Sequence, residues 1–189
     1  MRSLNRTFSA TYEVKKSKFI AYITPIDNFK SLRAKLKEEH PKARHIVYAY
    51  RELNEFEQIV ENSSDDGEPK GSSGVPILNV LRGENFINVA ILVVRYFGGI
   101  KLGIGGLVRA YSTSAKLVIQ NSDNFIYEKV VSFSFNTLYS SIQRIEYILR
   151  DIGICNIERD FLSDRVHWEI KAPISKIDEF KNRSVDNLI

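Results

Sequence analysis

The sequence predicts an α+β protein of two domains, and three observations carry that prediction. Strand-type and helix-type hydrophobic patterns interleave along the 189 residues. Nine of the ten glycines fall between Gly67 and Gly106, so special backbone geometry is concentrated in one part of the chain. A break in the pattern at residues 121–129 separates that part from a shorter βαββα pattern. Domains are therefore expected at 1–125 and 126–189. A hydrophobic fraction of 43% supports packed cores rather than disorder.

The first domain begins its clear patterning at residues 18–24, KFIAYIT, whose aromatic and β-branched residues read as a strand. Asp27 is placed to cap a helix with Phe29, Leu32 and Leu36 on its apolar face and Pro41 beyond its end. Residues 45–51, HIVYAYR, read as a second strand. Residues 52–70 sustain no period and end in Ser-Ser-Asp-Asp-Gly-Glu-Pro, which reads as an exposed loop. Gly71-Ser-Ser-Gly-Val-Pro continues that loop, and a short helix is expected from residues 77–81. Residues 85–97, NFINVAILVVRYF, are almost wholly apolar, as a strand covered on both faces is. A glycine-rich turn over residues 98–106 leads into a helix at 107–119, where Leu107, Ala110, Ser114, Leu117 and Val118 share a face.

In the second domain, strands are expected at 130–135, 155–162 and 165–171, with helices at 138–151 and 174–182. Leu138, Ile142, Ile145, Leu149 and Ile152 form an apolar stripe that Gly153 terminates. This order fits a small ferredoxin-like domain without a clear last strand.

Charge is distributed unevenly around a net value of +4. Residues 1–51 carry 12 Lys/Arg against 4 Asp/Glu, whereas residues 52–68 carry 7 acidic residues and no basic ones. The basic part can attract polyanions, nucleic acid first, or can simply be a solvated helix and strand edge. Cys155 is the lone cysteine, so no internal disulfide forms, in keeping with a reducing compartment. The N-terminus lacks the apolar segment of a secretory signal, and no run approaches the roughly 20 residues that span a bilayer. A cytoplasmic protein is expected.

The glycine-rich stretch carries the chemistry. A buried strand, a turn containing Gly98, Gly99, Gly103, Gly105 and Gly106, and a helix N-terminus can aim backbone N–H groups at an anion. Arg95, Lys101 and Arg109 flank the turn and can neutralise phosphate. A tight turn needed only for packing explains the same glycines. Two nucleotide signatures fail: Ile104 stands where a G-x-x-x-x-G-K-[ST] begun at Gly98 needs lysine, and Val108 where a G-x-G-x-x-G begun at Gly103 needs glycine. Upstream, Asp65, Asp66 and Glu68 can hold Mg²⁺ through carboxylate oxygens, can cap the following segment, or can fold onto Arg95 or Arg109. His45 opens a strand as either a structural or a ligand-facing imidazole. His40 and His167 have no zinc-ligand spacing. Ser72 and Ser73 do not form a nucleophile elbow. Cys155 and Trp168 read as core residues. Tyr48, Tyr50, Tyr96, Phe97 and Tyr111 can stack bases only where exposed.

Ser64-Asp-Asp-Gly-Glu-Pro-Lys-Gly-Ser-Ser-Gly-Val-Pro-Ile-Leu, followed by Val94-Arg-Tyr-Phe-Gly-Gly-Ile-Lys-Leu-Gly-Ile-Gly-Gly-Leu-Val-Arg-Ala-Tyr, closely resembles the IMPACT family, in particular its bacterial YigZ-like members. Lys16-Ser-Lys-Phe-Ile and His45-Ile-Val-Tyr-Ala-Tyr-Arg are similar to earlier motifs of that family, so the resemblance covers about residues 12–120. It implies an N-terminal domain like the second domain of ribosomal protein S5, a fold shared with elongation factor G, and a ferredoxin-like C-terminal domain. Eukaryotic members act in translational control by competing for the activator of an initiation-factor kinase. That activity depends partly on an added RWD domain with no counterpart visible here, so the kinase pathway is not expected. The resemblance brings no catalytic residues with it. His45, Asp65, Asp66, Glu68, Arg95, Lys101 and Arg109 match its motifs, but Val47 stands where the family often has cysteine, which excludes thiol chemistry there. The combined expectation is a non-enzymatic regulatory protein linked to translation, binding RNA, the ribosome or another phosphate-bearing partner. The alternatives are a Mg²⁺-dependent enzyme acting on a phosphorylated small molecule, and a protein–protein regulator docking through its C-terminal domain.

Overall fold

The structure, a computed structural model, describes residues 1–184; positions 185–189 of the expected second domain lie outside the described residues. It is a mixed α/β protein whose chain divides into two compact units, Met1–Tyr127 and Glu128 onward.

The first unit is built on a five-stranded antiparallel sheet of order β2-β3-β6-β4-β5, where β2 is Phe8–Val14, β3 Ser17–Pro25, β4 His45–Leu53, β5 Ile59–Ser64 and β6 Val89–Tyr96. A two-residue strand β1, Arg2–Ser3, pairs separately with β7, Phe125–Ile126. β6 lies at the centre, and its side chains alternate between two cores. Val89, Ile91 and Val93 join Phe19, Val47, Ile77, Leu81 and Tyr111 in the larger core. Ala90, Leu92 and Val94 join Leu36 and Ile46 in the smaller one. Helices α2, Gly74–Gly83, and α3, Ile104–Gln120, supply the first core. Helix α1, Phe29–Glu39, covers the second with Phe29, Leu32 and Leu36. This two-sided burial is why residues 85–97 lack the alternation of a half-exposed strand.

Several sequence expectations are corrected. β2 is an edge strand with loose alternation. Its turn to β3 uses Lys15 and Lys16, both at positive φ (47° and 62°), where Asn-Gly would have been the usual signal. Residues 52–70 are not one exposed loop: β5 pairs with β4, and Glu61 accepts from Arg51 at 2.8 Å and from Arg82. Helix α2 starts three residues before 77, because Pro76 is tolerated in a first turn. Asp27 lies in a 3₁₀ turn, Ile26–Asn28, ahead of α1 and does not cap it.

The second unit is a three-stranded antiparallel sheet of order β8-β10-β9. Its strands are β8 Val130–Thr137, β9 Asn156–Phe161 and β10 Val166–Pro173, and its helices are α4 Ile142–Ile152 and α5 Ile174–Ser184. Phe135, Ile145, Leu149, Trp168, Ile170 and Phe180 centre its core, and Trp168 Nε1 donates to Thr137 Oγ1 at 2.9 Å. Gly153 ends α4 in the left-handed conformation, φ 74°. Leu138 is exposed, since a 3₁₀ turn, Tyr139–Ser141, precedes α4. Cys155 is exposed rather than core, because β9 begins one residue after it. No helix among the described residues is long and apolar enough to cross a membrane.

Candidate anion-binding cleft

The turn from Asp65 to Glu68 divides its three carboxylates among three tasks. Asp65 Oδ1 accepts from Ser73 N (3.1 Å), Ser73 Oγ (2.6 Å) and Gly74 N (2.8 Å), and Oδ2 accepts from Gly71 N (2.7 Å). It thereby closes the N-terminus of α2. Burial raises its pKa, but the Ser73 hydroxyl and the backbone N–H groups of Gly71, Gly74 and Ser73 outweigh burial and hold it below the usual carboxylate value. Asp66 Oδ2 accepts from Ile46 N at 2.7 Å. Glu68 Oε1 accepts from Arg95 Nη1 at 2.6 Å and from Tyr111 Oη at 2.8 Å. Burial, and then the charge of Glu68, raises the Tyr111 phenol well above its ordinary pKa. The carboxylates expected to hold Mg²⁺ are therefore spread over separate protein donors. Among the described residues, no group of three His, Cys, Asp or Glu side chains is arranged to hold a metal ion.

Asp66 and Gly67 both take positive φ, 45° and 91°, and this turn runs against His45. The Asp66 carbonyl lies 2.6 Å from His45 Nδ1. A carbonyl only accepts, so Nδ1 carries the proton and Nε2 is the acceptor of the neutral ring. A Cβ at Gly67 would sit 3.2 Å from Cε1 and Nδ1 of that ring, so glycine serves both the dihedral and the approach.

His45 lines a cleft of about 580 Å³ together with Lys42, Arg44, Glu68, Arg95, Lys101, Gly103 and Ile104, among others. Lys42, Arg44 and Lys101 form no ion pair among the described residues. Among the described residues Glu68 is the one carboxylate on the wall, and it is already held by Arg95 and Tyr111. Arg95 is nine-tenths buried, and its Nε meets no acceptor among the described residues. α3 begins at this cleft, and its N-cap, Gly103 at φ 74°, makes no side-chain capping bond. The first N–H groups of α3 are thus not closed by a carboxylate as those of α2 are.

Of the residues expected to bind an anion, His45, Arg95, Lys101 and Gly103 come together here with Glu68. Arg109 is exposed on α3 outside the cleft wall, and Gly99, Gly105 and Gly106 are not on the wall either. Gly98 serves packing: a Cβ there would collide with the backbone of Lys16 and Ser17. Lys42 and Arg44 were not among the expected site residues. Their signal was their place immediately before His45 in the most basic part of the chain.

The Impact N-terminal domain, as a protein family, matches residues 15–119, which contain every residue of the cleft wall. The chain belongs to the IMPACT family. An IMPACT family member of Haemophilus influenzae (strain ATCC 51907 / DSM 11121 / KW20 / Rd) is 35% identical over 173 residues, covering 90% of this chain and 84% of that protein. The IMPACT family member YigZ of Escherichia coli (strain K12) is 30% identical over 179 residues, covering 92% and 86%. A crystal structure of a hypothetical protein superposes with a TM-score of 0.65 at 28% identity, covering 98% of this chain and 91% of that one. Within the IMPACT motif that starts at His45, Val47 is fully buried in the larger core.

Proposed function

We propose that this chain is a non-enzymatic regulatory protein linked to translation, which takes a phosphate-bearing partner, RNA or the ribosome first, in the cleft beside α3. One observation carries the reading. Lys42, Arg44 and Lys101, none ion-paired among the described residues, meet an uncapped helix N-terminus on a wall whose carboxylate is already neutralised. Such a surface favours an anion electrostatically. Family membership supports the link to translation, and a cytoplasmic location suits it. The sheet order β8-β10-β9 with two helices supports a ferredoxin-like second domain beginning near residue 126. We also infer an S5 domain 2-like fold for the first.

Binding of a fluorescent single-stranded RNA, followed by anisotropy across a salt series, tests this. The pair Lys42→Ala/Lys101→Ala should weaken binding and lower the salt slope by about 1.4, at roughly 0.7 per phosphate contact on single strands. These residues are the ones to remove, since Arg95→Ala would also strand Glu68. Absence of binding at low salt, or binding indifferent to the pair, would overturn the assignment.

A further inference from the structure

We infer that the cleft is shaped for the phosphorylated end of a nucleotide chain, or a free nucleoside monophosphate, rather than for a run of continuous backbone. The inference rests on the phosphate-binding role proposed above and specifies its ligand.

The size is the first argument. Grooves that track single-stranded backbone take about 4–16 nucleotides per fold. A space of about 580 Å³ lies within the roughly 300–1,000 Å³ of small-molecule sites. The cations also converge instead of forming a stripe. Lys42 and Arg44 come from the segment entering β4, Arg95 from the end of β6, and Lys101 from the loop before α3. Converging charge is matched best by a monoester, which carries more charge than a backbone diester.

The remainder of the wall fits the rest of a nucleotide. Phe97 and Ile104 line the same cleft, yet 57% and 65% of their surfaces are exposed. Large apolar surfaces left in water beside cations offer a face for a base. His45 completes the set. With Nδ1 committed to the Asp66 carbonyl, Nε2 meets no hydrogen-bond partner among the described residues, and in the neutral ring it can accept from a sugar hydroxyl. That assigns His45 to the recognition of ribose over deoxyribose.

The test compares RNAs of one sequence bearing a 5′-phosphate, a 3′-phosphate or hydroxyls at both ends, with AMP, dAMP, adenosine and inorganic phosphate as competitors. A phosphorylated end should bind about tenfold more tightly than hydroxyl ends, as one charge-assisted contact set allows. AMP should compete better than adenosine or phosphate alone, and better than dAMP. His45→Ala and the milder His45→Gln, each verified as folded by thermal melting, should erase the AMP/dAMP difference while retaining phosphate dependence. Equal binding of all three RNAs, with no competition by AMP, would overturn the end-specific inference and leave the RNA reading intact. Competition among nucleotides without RNA binding would sustain the inference as a free-nucleotide site and overturn the RNA reading. Loss of both would overturn both.

Discussion

Arg95 Nη1 and Glu68 Oε1 stand 2.6 Å apart with only 10% and 4% of their side chains exposed, so an ion pair ties the central strand of the sheet to the turn before α2. Both charges have left water, and each depends on the other to offset that loss. Tyr111 supplies the second donor to Glu68 from α3. One carboxylate therefore links β6, α3 and the Asp65–Glu68 turn.

Glu68→Gln should destabilise the first unit by about 3 kcal/mol, because it leaves the Arg95 charge buried and uncompensated. In a melting experiment this reads as a drop of roughly 10 °C. The cleft also gains a net positive charge, so the same variant should bind a polyanion more tightly at low salt. Tyr111→Phe, which removes one donor and no charge, should cost only about 1–2 kcal/mol. Equal effects of the two variants would contradict the arrangement.

Asp65→Asn should lower stability by about 1–2 kcal/mol, since the carboxylate that receives four donors at the start of α2 loses its charge. The pH dependence follows from the sign of the shift. The folded-state pKa of Asp65 is depressed, so its contribution is fully present above the unfolded value of about 3.9 and is lost as pH falls from there through the lower folded-state value. The difference in denaturant midpoint between wild type and Asp65→Asn should narrow progressively as pH falls from 6 to 3.

The glycines between residues 98 and 106, where α3 begins at Ile104 rather than at the expected 107, should divide sharply on substitution. Gly98→Ala drives a methyl group into the Lys16 backbone, and should cost 3 kcal/mol or about that, or prevent folding. A Cβ at Gly105 would meet nothing within 4 Å among the described residues, and the position lies in the first turn of α3. Gly105→Ala should raise stability by about 0.5–1 kcal/mol. Urea denaturation of the two variants decides it.

Cys155 should react with a thiol reagent in the native state at a rate near that of the unfolded chain, given its exposure. Cys155→Ser should change stability by no more than about 0.5 kcal/mol.

The fold was legible where burial dictates sequence. Val89–Val94 announced a strand covered on both faces, and Ile145, Leu149 and Ile152 announced α4. It was obscure where neighbours supply what the local sequence lacks. β2 turns on Lys15-Lys16, residues with no preference for positive φ, and β5 is an edge strand with few apolar side chains to mark it. The cleft draws on only some of the residues that the sequence singled out. Arg95, Lys101 and His45 do share a cleft, but the roles of individual groups depended on through-space partners. Nothing in Asp65-Asp-Gly-Glu says that its carboxylates part company, one to α2, one to β4 and one to Arg95. Gly98 looked like an anion-binding glycine because only the distant Lys16 backbone reveals its purpose.

The central position of β6 has a consequence for how the chain is made. The hairpins β2–β3 and β4–β5 join neighbours in sequence and can form as soon as they are synthesised. They cannot become one sheet until Val89–Tyr96 arrives to pair with β3 on one side and β4 on the other. Until then the edges of β3 and β4 that β6 will occupy stay open to a wrong partner, and α3, which follows β6, has not arrived to complete the larger core. A nascent chain halted between β5 and β6 is therefore a form of this protein with two unpaired strand edges exposed to aggregation.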